Sequence, residues 1–224
     1  MSILTMGLPS ASVPTSVLTK SHRSLPAAAR SLALASPGLL ARIAGAYYLI
    51  IFIVAPSGAA SATPLRMLVT LACDTAVALI FYTLLKPVSR ALSLTALIFR
   101  LLFVAMMTFA SLNYFGMLDL AHGAHSAQAF DTVYALALVP FGVHCLLTGC
   151  LIYRSKFLAR FPGVLLILAG LAYVTFVSPW FVHQAYPYIL IPGALGEGVL
   201  TLWLLIGGLD GERWAEEAGR RACA

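Results

Sequence analysis

Charged residues are scarce in this chain. Asp, Glu, Lys and Arg make up 10% of it, against 61% hydrophobic residues, where a soluble domain keeps about a quarter of its residues charged. That scarcity excludes an ordinary soluble globular domain, because so much apolar surface has no place except lipid. Catalytic fingerprints are missing as well: there is no Gly-x-Ser-x-Gly elbow, no P-loop and no dinucleotide-binding glycine motif. The cysteines (Cys73, Cys145, Cys150 and Cys223) include no C-x-x-C pair, and three of them lie in apolar runs. Neither a disulfide framework nor a metal site is therefore expected. No second histidine stands at the depth of His144 to complete a b-type haem, and no cofactor is expected.

What remains is a set of long apolar runs. Six spans are read at about Leu39–Ala55, Leu65–Leu85, Ala91–Tyr114, Asp131–Tyr153, Pro162 to near Trp180, and Tyr188–Gly208. Each is long enough to cross a hydrocarbon core of ~30 Å, the first at the short limit. The fold class is an all-α integral membrane bundle of six transmembrane helices. Residues 1–38 read as a disordered N-terminal extension, rich in Ser, Ala, Leu and Pro with Lys20, Arg23 and Arg30 and no acid, a composition shared with transit peptides. Residues 39–209 form the membrane domain. Residues 210–224 read as a short charged tail helix in which Glu216 and Arg220, and Glu217 and Arg221, are i,i+4 pairs.

Basic residues are also absent from one whole set of loops. Of the fourteen Lys and Arg, all but Arg66 and Arg100 lie before or at the mouth of the first span, between spans two and three, between four and five, or after six. The positive-inside rule then places both termini in the cytoplasm, in a cell inner (plasma) membrane. Trp180, Phe181, Tyr186 and Tyr188 fall at the outer interface as an aromatic belt. The net charge of +6 is spread over every cytoplasmic connection and forms no single patch, so the partner is the lipid bilayer and not nucleic acid.

Four spans each carry a lone ionisable residue: Asp74, Arg100, His144 and Glu197. Counted from the cytoplasmic ends at ~1.5 Å per residue, all four lie about 15–18 Å deep, near the midplane. Each charge alone costs roughly 2.5–3.5 kcal/mol at that depth. Spans two and three form a hairpin, so Asp74 and Arg100 are expected to pair, leaving Glu197 to a proton or to protonated His144. Pro140 and Gly142 precede His144, and Pro192 and Gly193 precede Glu197; they read as helix breaks of the kind that line transporter sites. The cluster suits a small-molecule or proton-linked transporter. The alternatives are an accessory protein whose polar groups only fix helix packing, and an intramembrane enzyme using His144 and Glu197 as acid and base. A metal at Asp74, His144 and Glu197 is disfavoured by the Arg100 cation beside them. Asp119, His122, His125 and Asp131 read as a solvated outer loop in preference to zinc ligands. Gly163, Gly170, Gly193, Gly196 and Gly198 read as sites of close helix packing.

The run Phe141-Gly-Val-His-Cys-Leu-Leu-Thr-Gly149, then Leu151-Ile-Tyr-Arg-Ser155, Gly163 to Tyr173, and Gly196-Glu-Gly-Val-Leu-Thr-Leu-Trp-Leu-Leu205 resembles the bacterial membrane family known as domain of unknown function 4386. Arg42-Ile-Ala-Gly45 and the Asp74 and Arg100 spans are similar to it too, so the likeness covers roughly residues 39–209. It implies six spans and attention to the four polar residues. It implies no activity. The loop after the first span is shorter than the family pattern, and Ala159 stands where a proline is usual.

Overall fold

The computed structural model describes residues 36–117, 127–178, 180, 184–185 and 188–222. The reading of the N-terminal extension therefore falls, up to residue 35, outside the described residues. So do Asp119, His122, His125, Phe181, Tyr186 and Cys223.

Among the described residues six helices are long and apolar enough to cross a membrane. They are α1 (Pro37–Val54), α2 (Pro64–Leu85), α3 (Arg90–Tyr114), α4 (Ala127–Arg154), α5 (Arg160–Val174, prolonged by a 3₁₀ turn Thr175–Val177) and α6 (Ile191–Ile206, preceded by a 3₁₀ turn Tyr188–Leu190). A tail helix, α7 (Gly211–Ala222), follows. No strand occurs among the described residues. Three starts are set by local chemistry. Ser36, Thr63 and Ser89 each accept the backbone N–H three residues on, and Pro37 and Pro64 occupy the first helical positions, where the missing N–H is no loss. Just past α6, Gly208 takes a left-handed φ of 63°, and its N–H and that of Gly207 both return to the Trp203 carbonyl.

Each helix packs on the next in sequence, and α6 closes back onto α1, so the six form a ring. Its outer surface is apolar, with Ile53, Leu68, Leu195 and Ile206 all more than half exposed, the condition of side chains facing lipid. Trp180 and Tyr188 are also exposed. One end of the ring carries Arg42, Lys86, Arg90, Arg154, Lys156 and Arg160. The other end has Arg66, whose guanidinium is spent on the turn between α1 and α2. It donates to the carbonyls of Val54 (2.8 Å), Ser61 (3.1 Å) and Ala55 (3.4 Å), closing the carbonyl end of α1 that an apolar helix cannot satisfy itself. Asp131, weighed above as a loop ligand, instead accepts the Ala59 N–H at 2.9 Å.

The tightest contact in the ring is between α4 and α5. A side chain on Gly142 would meet the Val174 nitrogen at 2.8 Å and the Gly170 carbonyl at 2.9 Å; one on Gly149 would meet the Gly163 carbonyl at 2.7 Å. Reciprocally, Gly163 faces the Gly149 carbonyl and Gly170 the Gly142 carbonyl. Two glycines seven residues apart on each helix thus let two antiparallel backbones touch, which is how helices associate where lipid removes the hydrophobic drive. Gly142 therefore packs and does not break: α4 runs unbroken from Ala127 to Arg154 with Pro140 inside it. Pro192 does not interrupt a helix either, because it sits in the first turn of α6. Gly198 departs from the packing expectation, having nothing within 4 Å of an added side chain.

Gly149→Ala should accordingly lower stability by about 1–3 kcal/mol, the usual cost of overpacking, whereas Gly198→Ala should leave it unchanged or slightly raised. Thermal unfolding of the two variants in detergent measures the difference; equal melting would contradict the glycine contact.

Candidate functional site

The centre of the ring holds Arg100. It is 1% exposed, and α3 aims it inward from the same face that buries Ala96, Phe103 and Met107. One terminal nitrogen forms the ion pair with Asp74 of α2, as the hairpin reading expects. The other donates to the Tyr48 hydroxyl of α1 at 3.0 Å. The Phe141 ring of α4 lies 4.6 Å from the guanidinium carbon, within cation–π range. Four helices thus converge on a single side chain. Its Nε–H is left without a partner, which is uncommon for a buried donor.

Glu197 lies on the opposite wall. Its Oε1 accepts the Tyr173 hydroxyl at 2.7 Å, joining α6 to α5. Gly193, one turn earlier on α6, makes this contact possible: a side chain there would fall 2.2 Å from the Tyr173 hydroxyl. Gly193 is a vacancy for tyrosine inside α6 and not a helix break. The Tyr173 and Phe141 rings meet edge to face at 5.3 Å, so Phe141 touches both the Arg100 guanidinium and the tyrosine that holds Glu197.

His144 belongs to neither. Its Nδ1 lies 2.9 Å from the Ala96 carbonyl; a carbonyl only accepts, so this nitrogen carries the proton. Nε2 is left to the Thr148 hydroxyl at 3.5 Å. The expected sharing of a proton between His144 and Glu197 is corrected by this geometry, because each has another partner. The reason is one of angle: His144 leaves α4 toward α3, while Glu197 is turned toward α5.

A cavity of about 200 Å³ reaches Asp74, Arg100, Glu197, Tyr173 and Thr70. It does not reach His144. Its remaining walls include Ile51, Phe52, Pro56, Met67 and Met107, all from the half of the ring away from the basic end. Thr70 is 8% exposed and its hydroxyl, like the Arg100 Nε, has no hydrogen-bond partner. The site therefore sets two carboxylates, one cation and a threonine around a space large enough for several waters or a small solute. Sequence reading missed Tyr48, Tyr173 and Thr70. Tyrosine and threonine are unremarked in apolar runs, and only the pairing across helices gives them a role.

A six-helix, multi-pass membrane protein with an ionic centre opened by a small cavity is the class these features define. The chain belongs to the family described as Domain of unknown function (DUF4386), which matches residues 57–208. That range takes in α2 to α6 with every residue of the ionic centre except Tyr48; α1 lies outside it. An uncharacterized protein of Archaeoglobus fulgidus is 29% identical over 136 residues, covering 60% of this chain and 76% of its own. No solved structure matches the chain.

Removing Asp74 alone should leave Arg100 an uncompensated buried charge. Asp74→Ala is expected to cost about 3–5 kcal/mol, and Asp74→Ala combined with Arg100→Met to recover most of it. Melting temperatures of the purified single and double variants decide the point. A double variant no more stable than Asp74→Ala would mean that Arg100 is held by something other than Asp74.

Proposed function

We propose that this is a transporter-like protein of the cell inner (plasma) membrane, with its basic end and both termini in the cytoplasm and its cavity open toward the opposite face. It would admit a small polar solute, or a proton, to Asp74, Arg100 and Glu197. The single observation that supports this reading is the cavity, which is lined by Asp74, Arg100, Glu197 and Thr70 in the middle of an apolar bundle. A bundle whose polar groups served only as fasteners would have them paired and dry. The orientation rests on the one-sided distribution of Lys and Arg.

The fastening alternative suits His144, which ties α4 to α3 through the Ala96 carbonyl and has no access to the cavity. The enzyme alternative loses its acid–base pair, since His144 and Glu197 have separate partners.

Access is tested with Thr70→Cys in a chain whose native cysteines are replaced by serine or alanine. A membrane-impermeant maleimide should label it in intact cells from the outer face. A thiol that reacts only after denaturation would remove the cavity as an entry route. Passage is tested in proteoliposomes by light-scattering swelling with small amines and small carboxylates. The wild type should exceed empty liposomes for at least one class, and Glu197→Gln, which keeps an acceptor for Tyr173, should fall to background while melting normally. Wild-type rates equal to those of empty liposomes throughout would leave only the fastening role.

A further inference from the structure

We infer that the groove between the α4–α5 loop and α7, at the basic end of the ring, binds the phosphate of an anionic lipid headgroup. This inference stands apart from the central cavity and needs only the six-span architecture.

The groove is built, not incidental. In the loop, Phe157 and Leu158 are buried and the Ser155 hydroxyl is bonded to the Ile152 carbonyl at 2.8 Å, which leaves Lys156 pointing out. The tail is tied to the same loop: the Asp210 N–H donates to the Phe157 carbonyl at 3.1 Å and Arg213 to the Lys156 carbonyl at 3.4 Å. Trp214 fixes α7 to the end of α2, its indole N–H donating to the Leu84 carbonyl at 2.8 Å. Between loop and tail lies a space of about 580 Å³, far larger than a bare phosphate and fit for a phosphodiester with its headgroup.

Its lining is strongly cationic. Lys156, Arg160, Arg213 and Arg220 face it with Glu216 as the one acid, a formal sum of 4 − 1 = +3. Arg213 is held by Asp210 at 3.1 Å and Arg220 more loosely by Glu216 at 3.9 Å. Lys156 and Arg160 have no carboxylate partner among the described residues, so two full cations are available to an anion.

What favours a lipid over a soluble phosphate is the exposed apolar stretch of α5 that begins at the residue after Arg160. Phe161, Val164 and Leu168 follow Arg160 at i, i+3 and i+7 along one face of α5, each between 42% and 49% exposed. A phosphate seated at Arg160 would have its acyl chains lie along that stripe. Basic sites at the ends of membrane helices recognise headgroups in this way.

Native mass spectrometry of the full-length protein from mixed micelles of phosphatidylglycerol and phosphatidylcholine tests the assignment. The wild type should retain phosphatidylglycerol well above its share of the micelle. Lys156→Gln and Arg160→Gln should each lower that enrichment roughly fivefold, while Arg90→Gln, a cation of the same end outside the groove, should not. Melting in phosphatidylcholine alone confirms that the variants fold; should they fail to, the wild-type enrichment must still fall with added salt. Equal enrichment in wild type and variants, an equal loss in Arg90→Gln, or insensitivity to salt would overturn the site. Inorganic phosphate that stabilises the wild type against heat as well as phosphatidylglycerol does would overturn the lipid as its source.

Discussion

Arg100 must be held as a cation inside a bundle surrounded by hydrocarbon, and much of the interior is arranged to make that tolerable. Its neutralisation takes a carboxylate from α2, a hydroxyl from α1 and an aromatic face from α4, so one side chain fixes the relative rotation of four helices. In lipid no hydrophobic force distinguishes one apolar helix face from another. A buried ionic group does distinguish them, because any other rotation leaves the charge facing acyl chains at a cost of several kcal/mol. The pair thus sets register among α1 to α4. Register between α4 and α5 is set differently, by the glycines at 142, 149, 163 and 170, whose bare backbones admit only one alignment. Glu197 and Tyr173 then carry the arrangement across to α6.

Much of this architecture can be read from the sequence, and the reasons are physical. A span is a property of a continuous apolar run, so α1 to α6 emerge within a few residues of their observed limits. A hairpin with a short turn constrains depth and partner together, so Asp74 and Arg100 are found as a pair. Partnership between helices distant in the chain is another matter. Depth alone placed His144 and Glu197 at one level, but depth says nothing of azimuth, and their side chains leave the ring in different directions. The prolines misled for a related reason. Pro140 lies within a helix packed on three sides, where neighbours hold the backbone in place, and Pro192 lies where a helix starts and costs nothing. The sevenfold glycine spacing was present throughout, yet it means close packing only when two such pairs are set antiparallel.

Polar groups are used differently toward the two ends of the ring. Toward the basic end, His144 has both ring nitrogens engaged, α7 is bonded across the helix ends, and the loop between α4 and α5 is packed beneath it. Toward the other end, two residues that line the cavity, Arg100 and Thr70, keep an unpaired guanidinium N–H and an unpaired hydroxyl. A buried donor without a partner costs about 1–3 kcal/mol, and at Thr70 and Arg100 that cost falls on residues that line a space. Packing economy would remove such a defect with a single apolar substitution at Thr70. Arg100 is harder to relieve, since every other bond it makes holds the bundle together. The group that organises the fold is therefore also one that lines the cavity, so this space borders the residue on which the positions of α1 to α4 depend. A change in the charge or contacts of Arg100 would therefore be felt in the packing of the ring itself.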